Sequence, residues 1–160
     1  MTVKPGSTKL TPEAQLRSFI GRIDPKDQKL FRSVRAAVRK RFPSANEVVY
    51  DYSSHFVIAY SPTDRGIDGV VAIDARDDGV RLYFNQGTQL SDPKKILRGS
   101  GKQTRFIEVE ATSQLAKPDV KALISAAIDL SSVPLPSQGK GGLIIRPTAA
   151  TKRSVRTPTK

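Results

Sequence analysis

Residues 47–85, EVVYDYSSHFVIAYSPTDRGIDGVVAIDARDDGVRLYFN, decide the fold. Residues 47–52 and 55–60 are rich in Val, Ile, Phe and Tyr and are separated only by Ser53 and Ser54, so they read as a hairpin. Residues 67–75 and 80–85 read as a second hairpin around Arg76, Asp77, Asp78 and Gly79, because Asp-Gly supplies the backbone angles a tight turn demands. In the last of these strands Val80, Leu82 and Phe84 alternate with Arg81, Tyr83 and Asn85, the mark of one face turned to a core and one turned away.

Two helices precede the strands. Thr11 is a suitable N-cap and Pro12 a suitable first helical residue, after which Leu16, Phe19, Ile20 and Ile23 recur at helical spacing. Gly21 interrupts this helix, and Asp24-Pro25 starts a second one with the same capping chemistry. Its apolar stripe is Leu30, Phe31, Val34, Val38 and Phe42, beside a basic stripe of Lys29, Arg32, Arg35 and Arg39, and Pro43 ends it. On the other side of the hairpins, residues 104–110 predict a fifth strand, and Pro118 opens a last helix whose buried face is Val120, Leu123, Ile124, Ala127 and Ile128. The order α-α-β-β-β-β-β-α predicts an α+β fold: a two-layer sandwich with a mostly antiparallel five-stranded sheet and its helices on one face.

One domain, residues 11–131, is expected between a flexible arm, 1–10, and a basic Pro- and Gly-containing tail, 132–160, whose composition predicts disorder. Leu143-Ile144-Ile145 is the exception in that tail, an apolar run able to add to a sheet edge. The 27 Lys and Arg against 15 Asp and Glu give a net charge of +12, but eight of the cations lie in residues 1–10 and 137–160, where there is no acid. The body, 11–136, is left at only +4, too little to mark a dedicated nucleic-acid reader. Weak, non-specific nucleic-acid binding by the tail is the most this distribution implies.

The chain has no cysteine, which excludes disulfides, thiolate chemistry and cysteine-based zinc sites and fits a cytoplasmic setting. No apolar run reaches the ~18 residues of a membrane span, and the N-terminus lacks the apolar core of a signal peptide. A soluble, unexported protein is expected.

The strongest candidate site is 92–110, DPKKILRGSGKQTRFIEVE. Lys94, Lys95, Arg98, Lys102 and Arg105 surround Gly99, Ser100 and Gly101, and successive amides in a glycine turn form an anion-binding concavity. A Walker A loop is excluded, since Ile96 stands where its first Gly is needed and Gln103 where Ser or Thr is needed. Ser100 is no nucleophile elbow, because Arg98 takes the place of the first Gly. The plainer reading is a turn with solvated cations, or Arg105 paired with Glu108 or Glu110. A second cluster, Asp64, Asp68, Asp74, Asp77 and Asp78, supplies hard carboxylate oxygens of the kind that bind iron or magnesium.

Taken together, DPKDQKLFRSVRAAVRKRFP (24–43), EVVYDYSSHFVIAYSP (47–62), GVRLYFNQG (79–87) and the 92–110 segment resemble the YdhG-like family, small bacterial domains of largely unknown function, over about residues 15–131. The resemblance implies a frataxin-like sandwich. Some relatives are described as frataxin-like iron chaperones, so an intracellular iron chaperone using the 64–78 carboxylates is the alternative function. In frataxin acidic surface carries that role, whereas the second helix here is basic. The leading expectation is therefore a non-enzymatic binding domain without cofactor, engaging an anionic small molecule or an acidic protein through loop 92–105.

Overall fold

The computed structural model describes residues 10–148. Most of the expected arm, and the end of the expected tail from 149, lie outside the described residues. Both predicted helix starts are present. Thr11 Oγ1 accepts from the Ala14 amide at 3.1 Å and opens α1, Pro12–Ile20, while Asp24 Oδ1 accepts from the Lys26 amide at 3.1 Å and opens α2, Pro25–Arg41. Each cap satisfies an amide that the first helical turn leaves without a partner.

The two hairpins follow as β1, Asn46–Asp51, with β2, Phe56–Ser61, and β3, Val71–Arg76, with β4, Gly79–Phe84. Gly79 adopts φ +133°, a backbone state that a side chain would strain, so the Asp-Gly turn does what its sequence promises. Residues 67–70 do not join β3 as the sequence suggested. A 3₁₀ turn, Gly66–Asp68, takes their place and ties back to β1 through the Gly66 amide, which donates to the Tyr50 hydroxyl at 2.8 Å. Then come β5, Arg105–Val109, a 3₁₀ segment, Thr112–Ala116, and α3, Pro118–Leu130.

The sheet has six strands, not five, in the order β5-β4-β3-β2-β1-β6, where β6 is Leu143–Arg146. The first five pair antiparallel, and β6 lies parallel to β1. Residues 131–142 carry the chain from α3 at one side of the domain to this far edge. The sixth strand escapes a periodicity reading because it is four residues long and its partner lies far back in the chain: the Gly142 amide donates to Asn46 Oδ1 at 2.9 Å across a separation of 96 residues.

One face of the sheet is covered. Phe56, Ile58 and Tyr60 of β2, Val71 and Ile73 of β3, and Val80, Leu82 and Phe84 of β4 form a single buried cluster with Leu16 and Ile20 of α1, Phe31, Val34 and Val38 of α2, and Val120, Leu123 and Ile124 of α3. The Phe31 and Phe56 rings meet edge-on at 5.0 Å, an arrangement worth about 1 kcal/mol beyond the area it buries. The opposite face carries a thinner apolar layer, in which Val48, Ala59 and Ala72 lie beneath Tyr50, Val57, Tyr83 and Ile144.

Candidate functional site

Loop 92–105 is built around its own acid. Asp92 accepts from the Ile96 amide at 3.0 Å and the Leu97 amide at 2.9 Å, so the first anion held by backbone N–H groups in this loop is a side chain of the loop itself. Arg98 and Phe106 exchange backbone bonds at 2.8 and 2.9 Å, which fastens the loop beside β5 as a short hairpin. Arg105 turns back toward the glycine turn, where Nη1 donates to the carbonyls of Gly101 and Thr104 at 2.6 and 2.7 Å. Neither Glu108 nor Glu110 takes that guanidinium; carbonyls that the turn leaves without amide partners do. Lys94, Lys95, Arg98, Gly99, Ser100, Gly101 and Lys102 are all exposed. The hollow that does reach this segment is about 230 Å³, between Asp92, Lys94 and Ile96 and the side of α3 at Asp119.

The five aspartates do not converge. Asp64 reaches Arg146 at 3.8 Å, and Asp68 accepts from the Thr63 hydroxyl at 2.8 Å. Asp74 is held by Arg76 Nε at 2.9 Å, Asp78 lies 3.6 Å from Arg81, and Asp77 is exposed at the hairpin turn. Among the described residues no three acidic or histidine side chains stand close enough to share a metal ion.

Two of the four cations of the basic stripe on α2, Arg35 and Arg39, are occupied by the fold. Arg35 donates Nε and Nη2 to the two oxygens of Glu47, both at 2.9 Å, and Nη2 also reaches Glu13 at 3.2 Å. Arg39 donates to the carbonyls of Ala45 at 3.0 Å and Gly141 at 2.5 Å. The Glu47 carboxyl accepts the Tyr60 hydroxyl at 2.7 Å as well. Burial alone would raise that carboxyl, but the bonds from Arg35 and Tyr60 and the charges of Arg35 and Arg39 outweigh it and hold it below its ordinary value. The bond to Glu47 in turn raises Arg35 above the usual guanidinium range.

A cleft of about 650 Å³ opens where the C-terminal turn of α2, the 3₁₀ segment and α3 diverge over the centre of the sheet. Its wall is apolar: Val38 and Phe42 from α2, Val71 and Leu82 from the sheet, Leu115 and Ile124 opposite. Lys40, Arg41 and Lys121 stand around its mouth, all exposed. Among the described residues none of these three forms an ion pair; Arg41 instead lies 5.7 Å from the centre of the Phe42 ring. Thr112, also at the cleft, donates its hydroxyl to Ser33 at 2.8 Å and ties the 3₁₀ segment to α2. A concave, mostly apolar lining with a few charged groups is the usual anatomy of a small-molecule site. The sequence shows Lys40, Arg41 and Lys121 only as scattered cations; that two distant helices bring them to one opening is a property of the fold.

No protein-family model, curated protein or solved structure matches this chain significantly.

Proposed function

We propose that the protein is a small binding domain without catalytic activity, and that it takes an anionic ligand at the cleft between α2 and α3. The observation that carries this reading is the mouth formed by Lys40, Arg41 and Lys121, three cations without carboxylate partners among the described residues beside a 650 Å³ apolar wall. Cations left unpaired at a concave opening are available to a ligand, and the low-dielectric wall strengthens their attraction for it. Loop 92–105 takes second place, because Asp92 occupies its Ile96 and Leu97 amides, though not those of Gly99 to Gly101, and Arg105 donates to the carbonyls of Gly101 and Thr104. Kinship with the YdhG-like domains, with their frataxin-like sandwich, is part of the proposal and agrees with the α+β layering; an iron role finds no support in the dispersed aspartates.

The test is a panel of anionic metabolites screened by thermal shift against the intact chain, a Lys40→Ala/Arg41→Ala/Lys121→Ala variant and a Lys102→Ala/Arg105→Ala variant. Stabilisation lost in the first variant and kept in the second is expected. The opposite pattern would move the site to the loop.

A further inference from the structure

We infer that the ligand of the cleft is a single-chain amphipathic anion, an aliphatic chain ending in one anionic group, with its chain along the solvent-reached Ala37, Leu115 and Ala116 and its head beside Lys40, Arg41 and Lys121. This rests on the reading above and adds the ligand's class. A compact inorganic anion would neutralise the mouth and leave Ala37, Leu115 and Ala116 wet. A neutral hydrocarbon would cover the wall and leave three cations unanswered. Only a molecule with both parts meets both surfaces, and a volume of about 650 Å³ lies well inside the range of small-molecule sites.

The chain's own undescribed ends are poor occupants. Residues 1–9 contain Lys4 and Lys9, and 149–160 contain Lys152, Arg153, Arg156 and Lys160, with no acid in either segment. Both would bring like charge to a cationic mouth, which costs rather than stabilises.

The experiment is calorimetry on the full chain with straight-chain alkyl carboxylates and alkyl phosphates of increasing length, each below its micelle concentration, against inorganic phosphate and citrate as compact anions. Affinity should rise about fourfold per added methylene until the cleft is full. Lys121→Ala should weaken it several-fold without changing that length dependence. Ala116→Trp, which fills the cleft from an exposed wall position, should abolish it, and Ala37→Leu provides a smaller obstruction if the first variant melts early. Carboxylate and phosphate series of equal slope define the head as any single anion, and a slope in one series alone names it.

Compact anions that bind with the same Lys121 dependence and no gain with length would overturn the amphipathic class and leave the anion-binding reading intact. Binding of neither compact nor amphipathic anions sinks both. Two further results would also overturn the inference: co-sedimentation with anionic vesicles in place of monomer binding, or a dimer that the cleft variants break and alkyl carboxylates do not.

Discussion

Two carboxylates are buried in the sheet, one on each face, and they are treated oppositely. Glu47, 3% exposed on the helix-covered face, receives two bonds from Arg35 and one from Tyr60, with Arg39 3.7 Å away. Asp74, 2% exposed on the other face between its cross-strand neighbours Val57 and Arg81, has one oxygen bonded to Arg76 and the other, Oδ1, without a protein partner. Burial raises the Asp74 carboxyl above its usual range, and Arg76, His55 and Arg81 only partly offset it. A buried charge is tolerable when its lone pairs are filled and costly when they are not. The covered face therefore carries a completed ion-pair network that joins α1, α2 and the sheet, whereas the open face carries an incomplete one that nothing in the fold requires to be charged.

The largest expected effect comes from breaking the completed network. Glu47→Ala leaves Arg35 and the Tyr60 hydroxyl without their acceptor and should destabilise the domain by about 3 kcal/mol, read as a shift in the urea midpoint at unchanged slope. The pH dependence follows from the lowered carboxyl. Its contribution is complete above the ordinary value of 4.5 and is lost as pH falls through the lower folded value, so the cost of Glu47→Ala should shrink in acid. A cost that stays constant with pH would mean that packing rather than charge holds Glu47.

Next in size is the anchoring of β6, which depends on the same corner of the covered face. Gly141 presses against the carbonyl of Ala45, its amide donates to Pro43 O at 3.0 Å and its carbonyl receives Arg39. A methyl group there would collide with backbone, which cannot yield as a flexible side chain can. Gly141→Ala should cost about 2 kcal/mol and release β6, visible as early proteolytic cleavage after residue 131 while α1 to α3 remain protected. Unchanged protection of residues 132–148 would show that the edge pairing is held by Leu143–Arg146 alone.

These two residues also mark where the sequence stops being readable. Thr11, Asp24, the Ser53-Ser54 turn and Gly79 announce their elements because capping and turn chemistry is local, and the alternation of β4 shows which of its residues are buried. Glu47 looks like an ordinary strand residue, since its burial is decided by Arg35 on α2 and Tyr60 on β2. Gly141 sits in a stretch whose Pro, Gly and Ser content reads as linker, yet Ser44 Oγ donating to Pro136 O at 2.7 Å and Arg39 fastening Gly141 lay that stretch on the domain. Loop 92–105 was legible as a cationic turn, but its self-satisfaction by Asp92 was not, because a carboxylate four or five residues before an amide can equally face water. The cleft was not legible at all, since Lys40 and Lys121 come to line one hollow only through packing.

On the open face the expected sign reverses. Asp74→Asn keeps an oxygen for Arg76 and removes a buried charge whose second oxygen has no protein partner, so at pH 7 it should stabilise by about 1 kcal/mol. A raised carboxyl is a liability above its folded value, and the liability is relieved as pH falls through that value toward the ordinary 3.8. The gain from Asp74→Asn should therefore fade in acid. Chemical denaturation at pH 7 and pH 3.5 measures both; a loss of stability at pH 7 would show that the carboxylate is satisfied after all and that the two faces do not differ in the way described.

The smallest effect belongs to the rim of that open face. Arg81 lies over the Phe106 ring at 4.3 Å, donates to the Tyr83 hydroxyl at 3.3 Å and reaches Asp78 at 3.6 Å. Each contact is wet on one side, where a cation over an aromatic ring or a surface pair contributes about 0.5 kcal/mol. Met preserves the length and apolar stem of the side chain, so Arg81→Met removes the charge and little of the packing. It also withdraws a cation from beside Asp74, which should raise that carboxyl further. The net stability change at pH 7 should be a loss of about 0.5–1 kcal/mol that shrinks in the Asp74→Asn background, where only the contacts with Phe106, Tyr83 and Asp78 remain to be lost, and a double-mutant cycle on the two residues reads the difference directly. Additive effects would mean that Arg81 acts through Phe106 and Tyr83 alone and that Asp74 stands electrostatically apart from the rim of its own face.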